Sequence, residues 1–415
     1  MNEIRDLLIG IDLGKEFTQV SYYDRKANAP RSLSLKVGVS EYAAPTLMAK
    51  RPSDGAYLSG FSVREALDEE TLIPIEEAYT LFGQDRSVSV GDENVKTSHL
   101  LACYLQEMLK FLGVPDVVRS TRCLSITCPS LSVARIRNIR LACEEIGFSA
   151  ESCLILDYKE SFYYYVMTQK KETWNRSVGW YDFDGDKVSF CKMSMNTSVR
   201  PVLVSISHPV TVRLQGEGNE RDEDFVRFIQ RSLGQEAFSS IQISGEGFDT
   251  EWAKKSVSEL TFQRRRVFYG TNLYAFGACA AGREQKEART MKSFCFLSDT
   301  MVRSEVGMEM RVMGSPTYQM LLESGKNWYE CTGKCELILD NENKLVFVVQ
   351  TLGESEKKKV QMVLDDLPQR PNKTTRLSVS LSYISPEECL ITVKDMGFGD
   401  MYPSSGKVWK ETVKW

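Results

Sequence analysis

The chain has 415 residues, 42% of them hydrophobic, and a formal net charge of −4. That length suits two or three domains with more than one core. A pI near 5.6 argues against nucleic-acid binding, and no apolar stretch approaches the roughly 18 residues of a membrane span. The N-terminal run MNEIRDLLIGID carries mixed charge and enters a strand directly, so it does not read as a signal peptide. The expectation is a cytoplasmic protein whose eleven cysteines are reduced thiols.

In chain order, Leu7–Asp24 (LLIGIDLGKEFTQVSYYD) reads as a β-hairpin whose first strand ends on an acid, Asp12, before Gly14. Arg31–Val90 is mixed and polar. Thr97–Leu112 has apolar residues at three- and four-residue steps, which predicts an amphipathic helix capped by Thr97 or Ser98. The strand CLSITCP follows, then a helix over Ser132–Ile146 closed by Gly147, the strand CLIL, and a helix through Ser161–Met167. Val178–Met193 (VGWYDFDGDKVSFCKM) repeats the opening pattern: a strand ending on Asp182, a turn with Gly185, and a returning strand. Val202–Ser207 reads as a strand, Asp222–Leu233 as a helix and Ile241–Ile243 as a strand that breaks at Gly245 and Gly247. Leu260–Gly282 reads as one helix rich in small residues, with the basic run Arg264–Arg266 on it. Alternating strands and helices mark an α/β region to about residue 285. Beyond it nearly every segment reads as strand, from TYQMLL to CLITVK, which predicts an all-β sandwich.

The chemistry available is narrow. Cys123/Cys128 and Cys331/Cys335 lack the two-residue spacing of a zinc knuckle or redox motif, and no second pair completes a site. Only two histidines exist, His99 and His208, which argues against a histidine-based triad or metal site. Any chemistry then rests on carboxylates, lysines and backbone. Asp12 and Asp182 read either as turn acids or as paired acids facing one cleft.

Order and residues together resemble the seventy-kilodalton heat-shock chaperones of the DnaK type, within the actin-like ATPase superfamily. Ile9–Gly14 resembles the first phosphate motif, Asp182 falls on the second, and Ile243–Gly247 lies where the adenosine loop would be. Leu124–Tyr165 resembles the family's strand–helix–strand–helix connection, Phe294–Asp299 its interdomain linker, and Arg376–Ile384 with Leu390–Asp395 its substrate-binding sandwich. The resemblance implies three parts: an actin-like nucleotide-binding-type domain over 1–285, a linker over 286–299 and a substrate-binding-like β-domain over 300–415. It further implies ATP or ADP with Mg²⁺ as the cofactor, Asp12, Asp157 and Asp182 as the catalytic acids, Asp12 and Asp182 as the metal-holding pair, and Gly14, Lys15, Gly185, Gly245 and Gly247 as nucleotide contacts.

Departures from the family bear on function. The threonine expected after Asp-Leu-Gly is Lys15. The glycine-rich second loop, whose amides would cradle phosphate, is Phe183-Asp184-Gly185-Asp186. The lysine expected in the Ile75–Gly83 segment is Tyr79. The stretch between Asp182 and Gly245 is too short for the family's adenine-covering subdomain, and no helical lid is expected after the sandwich. Two readings follow. One is a degenerate chaperone-like protein, with nucleotide binding weak or lost, acting on a protein or peptide partner through the β-domain. The other is an active ATPase in which Asp12 and Asp182 hold Mg²⁺, Lys15 contacts the phosphates and Asp157 orients water. In the β-domain, Met310, Met313, Met320 and Leu321 read either as a peptide groove or as core.

Overall fold

The computed structural model describes residues 6–414 apart from 37, 68, 69, 271 and 353; the first five residues and Trp415, at the ends of the two expected domains, lie outside them. The chain divides into two compact units, Met1–Phe296 and Leu297–Trp415. The first is mixed α/β and the second is built of strands.

The first unit is one topology used twice. Its opening half runs β1 (Leu7–Leu13), β2 (Phe17–Asp24), β3 (Ala29–Ser32), β4 (Ala43–Pro45), α1 (Thr97–Lys110), β5 (Thr121–Cys128), α2 (Val133–Ile146), β6 (Cys153–Asp157) and α3 (Tyr158–Met167). The second half runs β7 (Ser177–Asp184), β8 (Lys187–Asn196), β9 (Val202–Ile206), β10 (Val210–Arg213), α4 (Asn219–Leu233), β11 (Phe238–Glu246), α5 (Lys254–Thr261), β12 (Arg266–Tyr269) and α6 (Leu273–Arg283). The first sheet has the order β6-β5-β1-β2-β3 and the second β12-β11-β7-β8-β9. In each, the first hairpin strand pairs antiparallel with the second and parallel with the later strand beyond it. Between β4 and α1 lie a three-stranded sheet (Met48–Lys50, Tyr57–Ser59, Ile73–Ile75) and a hairpin (Ser87–Val90, Glu93–Lys96).

Local signals account for several of these elements. Ser132 caps α2 by accepting from the Arg135 amide at 3.2 Å, and Gly147, with φ 110°, closes it by donating to the Cys143 and Glu144 carbonyls. The α1 start differs from expectation: Lys96 holds the cap position without a side-chain bond, and the Thr97 hydroxyl instead donates to the Gln84 and Arg86 carbonyls. The single helix expected over Leu260–Gly282 is two. Helix α5 stops at Thr261, Gln263 and Arg264 turn the chain with left-handed φ, and Arg266–Tyr269 is the edge strand β12. The β-forming Val267-Phe268-Tyr269 completes the sheet, and this tertiary pairing overrides the helical periodicity. The arginine run therefore lies in a turn and a strand. Within the expected linker, Phe294–Phe296 forms β13, paired with β9.

Strand alternation fixes which way the acids face. In β7, Tyr181 and Phe183 pack with Phe225, Phe228 and Ile229 of α4, while Val178 and Trp180 pack on the other face with Phe162 of α3 and Tyr274 of α6. Asp182 shares that second face. In β1, Leu8 packs with Ala278 and Cys279 of α6, and a Cβ on Gly10 would lie 2.3 Å from the Ala275 carbonyl oxygen. Asp12 is on the same face as Leu8 and Gly10. Both acids thus point toward the layer made by α3 and α6.

The second unit holds two four-stranded antiparallel sheets. One is β14 (Ser304–Val312), β15 (Ser315–Leu322), β17 (Lys344–Thr351) and β18 (Lys357–Val363), in the order β15-β14-β17-β18. The other is β16 (Thr332–Ile338), β19 (Arg376–Tyr383), β20 (Glu388–Asp395) and β21 (Val408–Lys414), in the order β16-β19-β20-β21. Alternate residues Val306, Met308, Phe347, Val349, Val379, Leu381, Ile391 and Val393 are buried. The Tyr383 hydroxyl donates across to the Ser304 carbonyl at 2.8 Å. Arg370 forms a bidentate pair with Asp395, at 2.8 and 2.7 Å, and Asp395 also accepts from the Gly397 and Ser405 amides. The Asp395–Gly399 stretch is thus a pinned strand end.

The closest approach of α6 to α3 is at Gly277, where a Cβ would lie 1.9 Å from the Ser161 carbonyl oxygen. Helix propensity alone makes Gly→Ala favourable by about 1 kcal/mol. Gly277→Ala is nevertheless expected to lower stability by about 3 kcal/mol in urea unfolding of the full chain, because the backbones must separate; an unchanged or raised stability contradicts that packing.

Candidate functional site

Asp12 is the penultimate residue of β1 and lies opposite Gln19 of β2 and Thr127 of β5. Asp182 occupies the matching place in β7, opposite Ser189 of β8 and Ser244 of β11. Tyr158, the first residue of α3, donates its hydroxyl to Asp12 Oδ1 at 2.7 Å. Tyr274, in the first turn of α6, donates to Asp182 Oδ1 at 2.7 Å, and Ser244 donates to the same oxygen at 2.6 Å. Trp180 Nε1 donates to Ser244 Oγ at 2.8 Å. The two tyrosine rings are stacked, 3.6 Å between centroids and 9° between planes. The topological repeat relates Tyr158 to Tyr274 as it relates Asp12 to Asp182. One chain of contacts therefore runs from acid to tyrosine to tyrosine to acid across the two halves.

Burial shifts the titration of the groups along this chain of contacts. Desolvation pushes Asp12 up to about 7, against the Tyr158 hydrogen bond, which lowers it; the Asp182 charge adds to the rise. Asp182 is raised chiefly by burial, opposed by the Ser244 and Tyr274 bonds and helped by Asp184. Both tyrosines are held well above their ordinary range by burial and by the neighbouring acids, so their hydroxyls stay donors.

The other residues singled out from sequence are engaged locally. Asp157 caps α3, accepting from the Glu160 amide at 2.7 Å, and sits opposite Cys128 in the sheet register, one place along from the Asp12–Thr127 pair. The Gly14 amide donates to the Phe17 carbonyl at 3.1 Å, and its own carbonyl accepts from Thr46. Lys15 is exposed and pairs with Glu16 at 3.6 Å. Gly185, Gly245 and Gly247 do come together, all with left-handed φ, and the contact requires glycine: a Cβ on Gly247 would lie 2.3 Å from the Gly185 carbonyl oxygen. Several of their polar groups are engaged locally. The Gly185 amide donates to the Glu246 carbonyl at 2.9 Å, and Arg221 donates to the Gly185 and Gly247 carbonyls at 2.6 and 3.1 Å. That guanidinium also lies 4.7 Å over the Trp252 ring. Tyr79 is covered by Arg135 at 4.1 Å and pushed up to about 12, chiefly by burial.

These groups do not fit ATP with Mg²⁺ in this arrangement. Tyrosine hydroxyls already donate to one oxygen of each carboxylate, Oδ1, where metal-bound waters would donate. The Gly185 amide, which would cradle phosphate, is taken, and Lys15 is turned to Glu16. Among the described residues no group of three or more His, Cys, Asp or Glu is gathered that could hold a metal ion. A surface cavity of about 600 Å³ lies elsewhere, between α4 and α5, lined by Val226, Arg227, Ser258 and Phe262 among others.

Sequence reasoning missed Tyr158, Tyr274, Ser244, Arg221 and Trp252. A signal existed for the first: Tyr158 follows Asp157 directly, at the start of the helix packed under both hairpins. Tyr274 was hidden by the reading of one long helix, which removed the helix start on which it sits.

Comparison with known proteins gives two family matches. Residues 29–299 match the model of the family of unknown function DUF5716, C-terminal part. The chain belongs to the DUF5716 family. Residues 301–415 match a domain of unknown function, DUF8552, so the two matches meet close to the boundary between the compact units. No curated protein matches the chain. In this DUF5716 chain no helix of the described residues is long and apolar enough to cross a membrane.

The Asp12 shift makes a signed prediction. Its folded value of about 7 lies above the ordinary 3.8, so the stability of the protonated form is fully present below about pH 4 and is lost as pH rises to about 7. Asp12→Asn keeps the acceptor for Tyr158 and removes the titration. Its stability relative to the parent is expected to climb between about pH 4 and 7 and then level off, by up to about 4 kcal/mol. Thermal unfolding at a series of pH values reads this out, and a difference that does not change with pH contradicts it.

Proposed function

We propose that this chain is a chaperone-like relative of the seventy-kilodalton heat-shock family. In this reading its first unit keeps an actin-like fold but has lost nucleotide hydrolysis, and its second unit binds a protein or peptide partner. The repeated sheet order, with one acid-tipped hairpin in each half, supports the actin-like reading. The observation that carries the loss of activity is the stacked Tyr158–Tyr274 pair, which stands between Asp12 and Asp182 and donates to both. Phosphoryl transfer depends on positioning and charge stabilisation around the phosphates. Stacked phenols between the two acids supply neither.

The second unit offers a surface suited to a partner. Met313 and Gly314 turn the β14–β15 hairpin with φ of 51° and 86°. Met313 is fully exposed, and Val312, Tyr318 and Met320 are exposed with it. Strand β15 lies at the edge of its sheet, and its residues Ser315–Met320 carry no charge. The opposite edge, β18, begins Lys357-Lys358-Lys359, the kind of charge that protects an edge from pairing. An uncharged edge with methionine beside it suits an extended apolar peptide. Of the four residues named from sequence, Met313 and Met320 are exposed and Met310 and Leu321 are half-buried, which favours the surface role over core.

Calorimetric titration of the full chain with ATP or ADP, with and without Mg²⁺, tests the central part. No heat of binding is expected at millimolar nucleotide. Micromolar binding that is lost in Asp12→Ala and Asp182→Ala would overturn the proposal in favour of an active ATPase, with the two acids holding Mg²⁺ and Lys15 on the phosphates.

A further inference from the structure

The scarcity of histidine argued against a histidine-based site, yet the structure assembles one on α1 and α2. His99 and Cys103 are one turn apart on α1 and so share a face. Glu145 reaches the same place from the last turn of α2. His99 Nδ1 lies 2.5 Å from Glu145 Oε1, and His99 Nε2 lies 3.6 Å from Cys103 Sγ. Tyr57 meets the imidazole edge-on, with centroids 5.9 Å apart. The His99 and Glu145 side chains are each 43% exposed, and Cys103 is half-buried, so the group is open to a small molecule from solvent.

The geometry assigns roles. A carboxylate at Nδ1 favours the tautomer with the proton on Nδ1, which leaves the Nε2 lone pair facing the thiol. Burial, with the Glu145 and Glu107 charges, pushes the Cys103 thiol up to about 11. It therefore rests as S–H and needs a base at the moment of attack. Cys103 lies inside α1, where backbone amides are spent in helical hydrogen bonds. Its own turn of helix therefore offers no free amide pair of the kind that an acyl-transfer oxyanion requires. Attack on sulfur builds no oxyanion and needs no such pair.

We propose that Cys103, with His99 as its general base and Glu145 holding His99 in place, is a thiol–disulfide exchange site that accepts a small disulfide of the glutathione type and becomes a mixed disulfide. The Cys103 proton passes to His99 Nε2 as Sγ attacks one sulfur of the disulfide. A new S–S bond forms, the old one breaks, and the departing thiolate takes the proton from Nε2. One thiol and one disulfide become another thiol and another disulfide.

The test is a time course of full-length protein with glutathione disulfide at neutral pH, followed by peptide mapping in a mass spectrometer. Cys335, also half-buried but in the second unit and far in sequence from either histidine, is the internal reference. Cys103 is expected to acquire the adduct about tenfold or more faster than Cys335. His99→Asn is expected to slow Cys103 by about tenfold or more without changing Cys335. Glu145→Gln, a surface change that preserves shape, slows Cys103 by a smaller factor, and Cys103→Ser removes the adduct. A Cys103 rate equal to that of Cys335, or one unaffected by both His99→Asn and Glu145→Gln, overturns the proposal.

Discussion

The rings of Tyr158 and Tyr274 lie parallel at 3.6 Å, and each hydroxyl ends on a carboxylate, Asp12 buried and Asp182 half-buried. That contact is possible only because α3 and α6 touch backbone to backbone at Ser161 and Gly277. A side chain at Gly277 would force the helices apart and the rings with them. The same helix α6 lies against β1 at Gly10 and against β5, where a Cβ on Gly282 would meet Ser125 Oγ at 2.7 Å. A helix of small residues is therefore what lets two halves, each with its own sheet, meet closely enough for their acids to share one aromatic pair.

Charge follows from that closeness. Lost hydration favours the protonated form of both acids, and the Asp182 charge adds to the rise at Asp12 as the Asp184 charge does at Asp182. Hydroxyl donors partly offset the cost, three of them shared between Asp12 and Asp182. A cation would offset it more strongly. The nearest lysine in sequence, Lys15, is at the surface with Glu16, and Arg221 is committed to the carbonyls of the glycine loops. The layer is thus a hydrogen-bonded core of acids and phenols in which burial favours the protonated carboxyl groups, which is the physical reason for reading the first unit as one that has lost nucleotide hydrolysis. The thiol site on α1 and α2 stands apart from this layer, and its chemistry does not depend on it.

Much of the frame was legible in the sequence because it is encoded locally. Both acid-tipped hairpins, the Ser132-capped helix ending at Gly147, and most of the strands of the second unit follow from alternation and turn residues. What escaped depends on long-range contact. Strand β12 looks helical alone and is a strand because β11 offers it an edge. Strands β14 and β21 lack a strong apolar run, since outward residues such as Glu309, Arg311, Lys410 and Lys414 dilute the pattern. The acids of the candidate site were readable from the hairpins. Their tyrosine partners were not, because Tyr158 lies 146 residues from Asp12 and Tyr274 lies 92 from Asp182. Tyr158 at least follows Asp157 at a helix start, but nothing local to Tyr274 tells it from an ordinary core residue. The His99–Cys103 spacing was visible, but Glu145 joins it only through the packing of α1 on α2.

The most direct test of the account is a double-mutant cycle on Tyr158→Ala and Tyr274→Ala, with stability measured by urea unfolding. If the rings hold the two halves together, the coupling energy between them is about 1 kcal/mol. Coupling below about 0.3 kcal/mol, with the two effects simply additive, would mean that the stack does not join the halves and that the closed layer between the acids needs another explanation.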